Sequence, residues 1–230
     1  MIRKIRTVVL LAAVLVLPLI GHAAEKKSAE KRPVRTLFEI EQDGRVGFID
    51  ASGKVVVPPQ FKKARGGFSE GFIQVEQDGR WGFMEHTGRI IAPRYDDNDN
   101  FSEGLARVKV NKQWAYIDRS GKEVIPAKYE EAGNFHEGLA KVRLDDRWGF
   151  IDRSGKLVVD PRYKDADNFS EGLACVKMES KWGFIDRTGK LIIEPRFSDA
   201  DSFKNGLSKV KVEHKLGYVN KKGTTVWQEK

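Results

Sequence analysis

The chain of 230 residues carries a formal net charge of +8, and residues 1–36 supply most of it through eight basic and two acidic side chains. Residues 37–230 are therefore nearly neutral overall, which excludes the concentrated basic charge that a nucleic-acid-binding domain normally carries. The single cysteine, Cys175, excludes an internal disulfide, so a folded domain of this length must be stabilised by packing.

Residues 1–23 have the pattern of a secretory signal peptide. A positively charged start at residues 3–6 precedes an apolar run at residues 8–20, and small residues at positions 21 and 23 suit a signal peptidase. The apolar run is too short to span a bilayer, although an uncleaved anchor is the alternative interpretation. We expect an exported protein, periplasmic or fully secreted, with no membrane span in the mature chain.

Residues 24–36 are charged and contain almost no large apolar side chains. Such a segment cannot bury enough apolar surface to offset the entropy of ordering it. We therefore predict a disordered linker between the signal peptide and a folded domain at residues 37–230.

The folded domain is a tandem repeat. The string Trp-Gly-Phe-Ile-Asp begins at Trp148 and again at Trp182, and self-similarity at a fixed period of this size is typical of repeat architectures. Variants of the string, at intervals of about 34 residues, predict six units. The four variant strings begin at Val46, Trp81, Trp114 and Leu216.

The fourth unit shows the strands that we predict for every unit. Ala140, Val142 and Leu144 alternate with basic residues, and this period of two indicates a strand with one buried face. Residues 148–151 are apolar or small on both faces, which favours a central strand covered on both sides.

A hairpin and a third strand complete the unit. Asp152 can bond the backbone two residues further on, and Gly155 suits the left-handed conformation that closes a short hairpin. Residues 157–159 form the third strand, which Pro161 ends by withholding an N–H. The result is an all-β fold of six three-stranded antiparallel units joined by loops of about a dozen residues.

Two higher-order arrangements are compatible with these units. The units can stack as an open solenoid or close radially like propeller blades, although blades more often have four strands. Val46 and Leu216 replace tryptophan in the first and sixth units, and atypical end units favour an open array. We expect the remaining tryptophans to hold neighbouring units together. These are Trp81, Trp114, Trp148 and Trp182.

The repeated motif resembles the bacterial WG-repeat family. It reads Trp-Gly-Phe-Ile-Asp-Arg-Ser/Thr-Gly-Lys, then apolar residues and Pro, then Phe-x-Glu-Gly-Leu-Ala-x-Val, and the resemblance covers roughly residues 38–227. It implies a scaffold found in many bacterial contexts, with no family catalytic residues to transfer. The departures from the motif are Val46, Ala115, Asn205 and Leu216.

The polar residues that recur do not form a catalytic or metal-binding pattern. The aspartates of the Trp-Gly-Phe-Ile-Asp strings fit a turn, and the glutamates before Gly in the long loops fit a structural bond. The histidines outside the signal peptide, His86, His136 and His214, occupy three different repeat positions, whereas a metal site or triad needs convergence. Residues 95–100 are rich in oxygen ligands but lack the Gly and distant Glu of a calcium loop. We predict no metal site, no cofactor and no enzyme activity.

The alternation of the first strands suggests a basic row. The polar residues of these strands are predicted to point outward, and stacking the units would align them. Such a row could dock an anionic protein or cell-envelope polymer, although a solvated face that protects strand edges is the plainer interpretation. Cys175 belongs to the same row, so its thiol would be exposed and could form an intermolecular disulfide, although a neutral substitution in one repeat is the plainer interpretation. The candidate partner-binding residues are Arg107, Lys109, Lys141, Arg143, Lys177, Lys209 and Lys211.

The sequence therefore favours an exported, non-catalytic scaffold that binds a protein or a cell-envelope polymer through one face. The alternative is a hydrolase acting on the cell envelope or a carbohydrate-binding module. Sugar binding would require exposed aromatic side chains in the loops, at Phe101, Phe135, Tyr163 or Phe169, which we expect to be buried.

Overall fold

The computed structural model describes residues 36–213 and 215–230. The predicted signal peptide and all but the last residue of the predicted linker fall in residues 1–35, outside the described residues. Everything described belongs to the unit Val34–Lys230. Within the described ranges, no helix is long and apolar enough to cross a membrane.

The described residues form six antiparallel sheets. The first sheet has three strands and each of the other five has four. The strands are β1 (Leu37–Gln42), β2 (Arg45–Asp50), β3 (Val55–Phe61), β4 (Lys63–Ser69), β5 (Phe72–Gln77), β6 (Arg80–Glu85), β7 (Ile90–Tyr95), β8 (Asp97–Asn98), β9 (Leu105–Val110), β10 (Gln113–Asp118), β11 (Glu123–Tyr129), β12 (Glu131–Ala132), β13 (Leu139–Leu144), β14 (Arg147–Asp152), β15 (Leu157–Tyr163), β16 (Asp165–Ala166), β17 (Leu173–Met178), β18 (Lys181–Asp186), β19 (Leu191–Phe197), β20 (Asp199–Ala200), β21 (Leu207–Val212), β22 (Lys215–Asn220) and β23 (Thr225–Gln228).

The three predicted strands of each repeat are confirmed, and five sheets add a fourth strand within the predicted loop. The prediction that Pro161 ends the third strand is wrong, because β15 continues through Pro161 to Tyr163, which pairs with Trp148 after a shift of register. In the fourth sheet the order is β12-β13-β14-β15, so the short strand β12 pairs with the first long strand of its repeat. The chain enters each added strand directly from the third strand of the preceding sheet; β4 has seven residues and the other four have two. The reason is that loop backbone groups near the core need partners, and pairing with the first strand supplies them. Asp167, for example, donates its N–H to the Cys175 carbonyl.

The predicted hairpin turn is also confirmed. One carboxylate oxygen of Asp152 accepts the N–H of Ser154 at 2.9 Å and that of Lys156 at 3.1 Å. It also accepts the Ser154 hydroxyl at 2.6 Å. Gly155 has a φ of +84°, a conformation that a side chain disfavours. The turn therefore depends on the Asp and Gly that the sequence repeats.

The core lies between sheets, and the inner sheets bury both faces. Between the third and fourth sheets, Trp114 and Tyr116 pack against Phe135, Ala140 and Val142 in one cluster. One sheet thus contributes its aromatic face, and the next sheet contributes a face of small and branched side chains together with one loop phenylalanine. Matching pairs of rings meet edge to face at successive junctions. They are Tyr116–Phe135, Phe150–Phe169 and Phe184–Phe203, with centroids 5.0, 4.8 and 4.9 Å apart.

The six sheets follow one another as an open series. Within the described ranges, the extended contacts between sheets join consecutive sheets. Phe38 in the first sheet is 49% exposed and Leu207 in the sixth is 37% exposed, although the corresponding Ala140 and Leu173 are buried. The atypical residues Val46 and Leu216 in the end units favour the same arrangement.

Candidate binding face

The basic row does not face solvent along most of its length. Lys141 lies on the face of the fourth sheet that packs against the fifth, where its ammonium donates to the Ala166 carbonyl at 2.7 Å. Arg107 donates to the Ala132 carbonyl and forms an ion pair with Asp99 at 2.6 Å. The prediction that these side chains point outward is wrong because a neighbouring sheet covers that face as well. Five of the seven candidates are half-buried: Arg107, Lys109, Lys141, Arg143 and Lys177.

Several of these basic groups lie over the repeated tryptophans. The charged group of Arg107 is 4.5 Å from the ring centre of Trp114, and that of Lys141 is 4.9 Å from Trp148. A cation over an indole face is attracted by the ring quadrupole. Much of the row therefore stabilises the sheet junctions. Lys109 and Lys177 of the row also lie over Trp114 and Trp182, and Arg65, which is outside the row, lies over Trp81.

Cys175 is buried rather than exposed. Its side chain is 1% exposed because it occupies the slot of Lys141 in a covered face. Burial raises the pKa of the thiol to about 12, and the nearby Asp167 carboxylate acts in the same direction. The expected exposed thiol is therefore wrong, and an intermolecular disulfide would require the fold to open.

The recurring acidic residues form structural bonds. Glu137 accepts the N–H of Gly172 in the next repeat at 2.9 Å, although its own φ is +54°. Because each such carboxylate reaches into the following repeat, these glutamates tie neighbouring repeats together. The same bond at 2.9 Å joins Glu70 to Gly104, Glu103 to Gly138 and Glu171 to Gly206.

The remaining candidate groups do not converge. Among the described residues, no three His, Cys, Asp or Glu side chains are placed to hold a metal ion. His86 lies 3.3 Å from the Gly71 carbonyl, His136 is exposed, and His214 lies outside the described residues. The loop aromatics that sugar binding would need are buried at the sheet junctions. They are Phe101, Phe135, Tyr163 and Phe169.

The sixth sheet exposes the face that the inner sheets cover. Lys209 and Lys211 are exposed, unlike the basic residues in the corresponding slots of the fourth sheet. Leu207 is 37% exposed, whereas its counterparts in the five preceding sheets are at most 9% exposed. Trp227 is 51% exposed in a slot where Ile193 is buried. We call this surface the sixth face and define it by Leu207, Lys209, Lys211, Tyr218 and Trp227.

A cleft of about 710 Å³ opens on the sixth face. Tyr218 lies in its wall, in the slot where Phe184 of the fifth sheet packs edge to face on Phe203. Sequence reasoning identified two of the residues that define the sixth face, the lysines, but missed the cleft. The available signal was a change of residue type at positions 205, 216 and 227. The lining residues are Ser170, Asp201, Ser202, Phe203, Lys204, Asn205, Leu207, Lys209 and Tyr218.

The fold and its junctions define an all-β tandem-repeat protein whose recurrent residues join one sheet to the next. This chain belongs to the WG containing repeat family. The family's repeat matches five consecutive segments, at residues 47–81, 81–114, 114–148, 148–182 and 182–215. The resemblance in the sequence is thereby confirmed. No curated protein matches the chain.

Solved structures with a similar fold are distant in sequence. A eukaryotic initiation factor is 12% identical over 83% of this chain and 62% of its own, with a TM-score of 0.53. PorZ, a surface component of the type-IX secretion system of Porphyromonas gingivalis, is 9% identical over 79% of this chain and 29% of its own, with a TM-score of 0.40. Hsv2p of Kluyveromyces lactis is 10% identical over 80% of this chain and 71% of its own, with a TM-score of 0.48. The chain spans less than two thirds of the first two proteins, and the likeness concerns the fold alone.

Proposed function

We propose that this protein is an exported, non-catalytic scaffold that binds an anionic protein or cell-envelope partner through the sixth face. The observation that carries the proposal is the exposure of Lys209 and Lys211 beside uncovered apolar groups. Positive charge next to exposed aromatic surface attracts an anionic partner and gives it apolar area to bury. The pattern of residues 1–23 supports export.

The structural use of the recurring residues supports a non-catalytic role. General acid–base chemistry needs a carboxylate or imidazole that can reach a substrate. Here the turn aspartates hold hairpins, and Glu137 and its counterparts hold the next repeat. What remains for recognition is the surface that differs between repeats, and the sixth face is such a surface.

Binding to an anionic probe tests the proposal. The full chain should be retained on immobilised polyglutamate at low ionic strength and released at high ionic strength, since salt screens exposed charges. The double variant Lys209→Glu with Lys211→Glu should lose most of this retention. Recovery of partners from envelope fractions with the same pair of proteins would then identify the natural ligand.

A charge-matched control separates the sixth face from general basicity. Lys62 and Lys181 are exposed lysines in other sheets, and the double variant Lys62→Glu with Lys181→Glu has the same net charge as the sixth-face variant. The control should bind as the parent does. Equal losses in both variants, or no salt-sensitive retention of the parent, would contradict the proposal.

A further inference from the structure

The fourth sheet has a face that corresponds to the sixth face, and the fifth sheet covers it. The contacts there show which groups pack against such a face. Between the fourth and fifth sheets, the occupant is residues 164–172, which run from the third strand of one sheet to the first long strand of the next. Phe169 places its ring edge-on to Phe150, with centroids 4.8 Å apart. The Ala166 carbonyl accepts the Lys141 ammonium, and the Gly172 N–H binds Glu137. The fourth sheet therefore contacts this segment through one aromatic ring, one backbone carbonyl and one backbone N–H.

The sixth face has a group in each of these receptor positions. Tyr218 stands where Phe150 receives the ring, and Lys209 stands where Lys141 receives the carbonyl. Asn205 replaces Glu137 and has the same φ of +54°, so its side-chain oxygen can accept an N–H. Leu207 supplies the apolar wall that Leu139 supplies within the fourth sheet.

Charge favours an acidic occupant. The segment between the fourth and fifth sheets, residues 164–172, carries Asp165, Asp167 and Glu171 against Lys164. The segment between the fifth and sixth sheets carries Asp199 and Asp201 against Lys204. The cleft on the sixth face is lined by Lys204 and Lys209 together with Asp201, and the nearby Lys211 lies 3.9 Å from the Asp199 carboxylate. The three lysines therefore exceed the two carboxylates by one positive charge. Opposite charges on a receptor and its ligand speed their encounter and fix their register.

We propose that the cleft on the sixth face binds an extended acidic polypeptide segment with one aromatic side chain, of the kind that each repeat inserts against the sheet before it. The aromatic ring packs edge-on to Tyr218. A carbonyl three residues before the ring accepts from Lys209, and an N–H three residues after it donates to Asn205. This inference rests on the proposed function and specifies the partner of the same face.

A synthetic peptide with the sequence of residues 164–172, labelled at its N-terminus, is the direct probe. Fluorescence anisotropy with the full chain should show saturable binding. Leu207→Glu and Lys209→Glu should each weaken it, whereas the matched control Lys62→Glu should leave it unchanged. Removing the ring from the peptide, by the change that corresponds to Phe169→Ala, should weaken binding about tenfold, as the loss of an aromatic pair predicts.

The outcomes distinguish this inference from the proposed function. If the peptide does not bind while polyglutamate retention still depends on Lys209 and Lys211, the inference is wrong and the proposed function stands. Peptide binding that survives removal of the ring would show charge attraction alone and would overturn the inference. Self-association of the chain that Leu207→Glu abolishes but the peptide does not displace would assign the face to a second copy instead. Because the peptide variant leaves the protein unchanged, its result does not depend on how well a protein variant folds.

Discussion

At the scale of single residues, the repeated carboxylates act locally. Asp118, Asp152 and Asp186 each accept two backbone N–H groups and one hydroxyl within their own turn. The sixth repeat has Asn220 in this slot, and its side-chain oxygen accepts the N–H groups of Lys222 and Thr224, both at 3.0 Å. An amide therefore forms the same turn without a titratable group.

The turn aspartates give the fold a defined response to acid. The hydroxyl hydrogen bonds from Ser120, Ser154 and Thr188, with backbone N–H bonds, lower the pKa of Asp118, Asp152 and Asp186. A carboxyl whose pKa is lower in the folded state stabilises the fold above its unfolded pKa of about 3.9, and this contribution disappears as pH falls through the folded pKa.

The free energy of unfolding should therefore fall as pH drops below about 4. A variant that combines Asp118→Asn, Asp152→Asn and Asp186→Asn should lose less stability over this range, because the amides form the turn and do not titrate. Urea titrations at a series of pH values measure both proteins. Identical pH dependences would contradict the role assigned to these three carboxylates.

At the scale of the element, the glycine of the Trp-Gly pair is needed because two strands approach closely. A Cβ on Gly149 would lie 2.5 Å from the Val159 carbonyl oxygen and 2.7 Å from the Pro161 nitrogen. The pairing of β14 with β15 shifts register at this point, which brings the backbone of β15 over the glycine. The third repeat has Ala115 in the same slot, fully buried, and nothing in the structure explains why a methyl group is accepted there.

Gly149→Ala should therefore destabilise the protein by about 2 kcal/mol, a typical cost of overpacking. The reverse change in the third repeat, Ala115→Gly, should cost only about 1 kcal/mol, because it adds backbone freedom without a clash. Thermal unfolding of both variants beside the parent measures the difference. A Gly149→Ala variant that melts with the parent would show that β15 can move away.

The elements also show how far the sequence could predict the structure. Three long strands per repeat follow from alternation, and the hairpin follows from Asp152 and Gly155. The short strand β12 has too few residues to show a period, so the sequence offered no signal for it. Charge and alternation predict that the basic residues of the first strands face solvent, whereas five of the seven are half-buried. A long aliphatic stem can lie within an interface while its charged end finds a polar partner there, as Lys141 does with the Ala166 carbonyl.

At the scale of the whole molecule, stability depends on junctions between consecutive sheets. An array of this kind is stabilised by its repeats and by the interfaces between nearest neighbours, so a residue at an inner junction affects more packing than a residue on an outer face. The exposure of the sixth face belongs to this scale too. Leu207 is the same residue type as Leu173, and it is exposed because no described sheet covers it, so the residue type at position 207 gives no signal of its exposure.

Substitution of two tryptophans tests whether a residue at an inner junction contributes more to stability than one on an outer face. Trp148 is half-buried and packs at the junction of the fourth and fifth sheets with Lys141 over its ring, whereas Trp227 is 51% exposed on the sixth face. Trp148→Ala should lower the free energy of unfolding by about 3 kcal/mol, the lower end of the cost for a large core aromatic. Trp227→Ala should lower it by less than about 1 kcal/mol, since little of its packing is lost. Urea denaturation monitored by circular dichroism compares the two variants with the parent. Equal shifts of the midpoint would mean that the indole rings do not join the sheets, and the assignment of stability to the inner junctions would then be wrong.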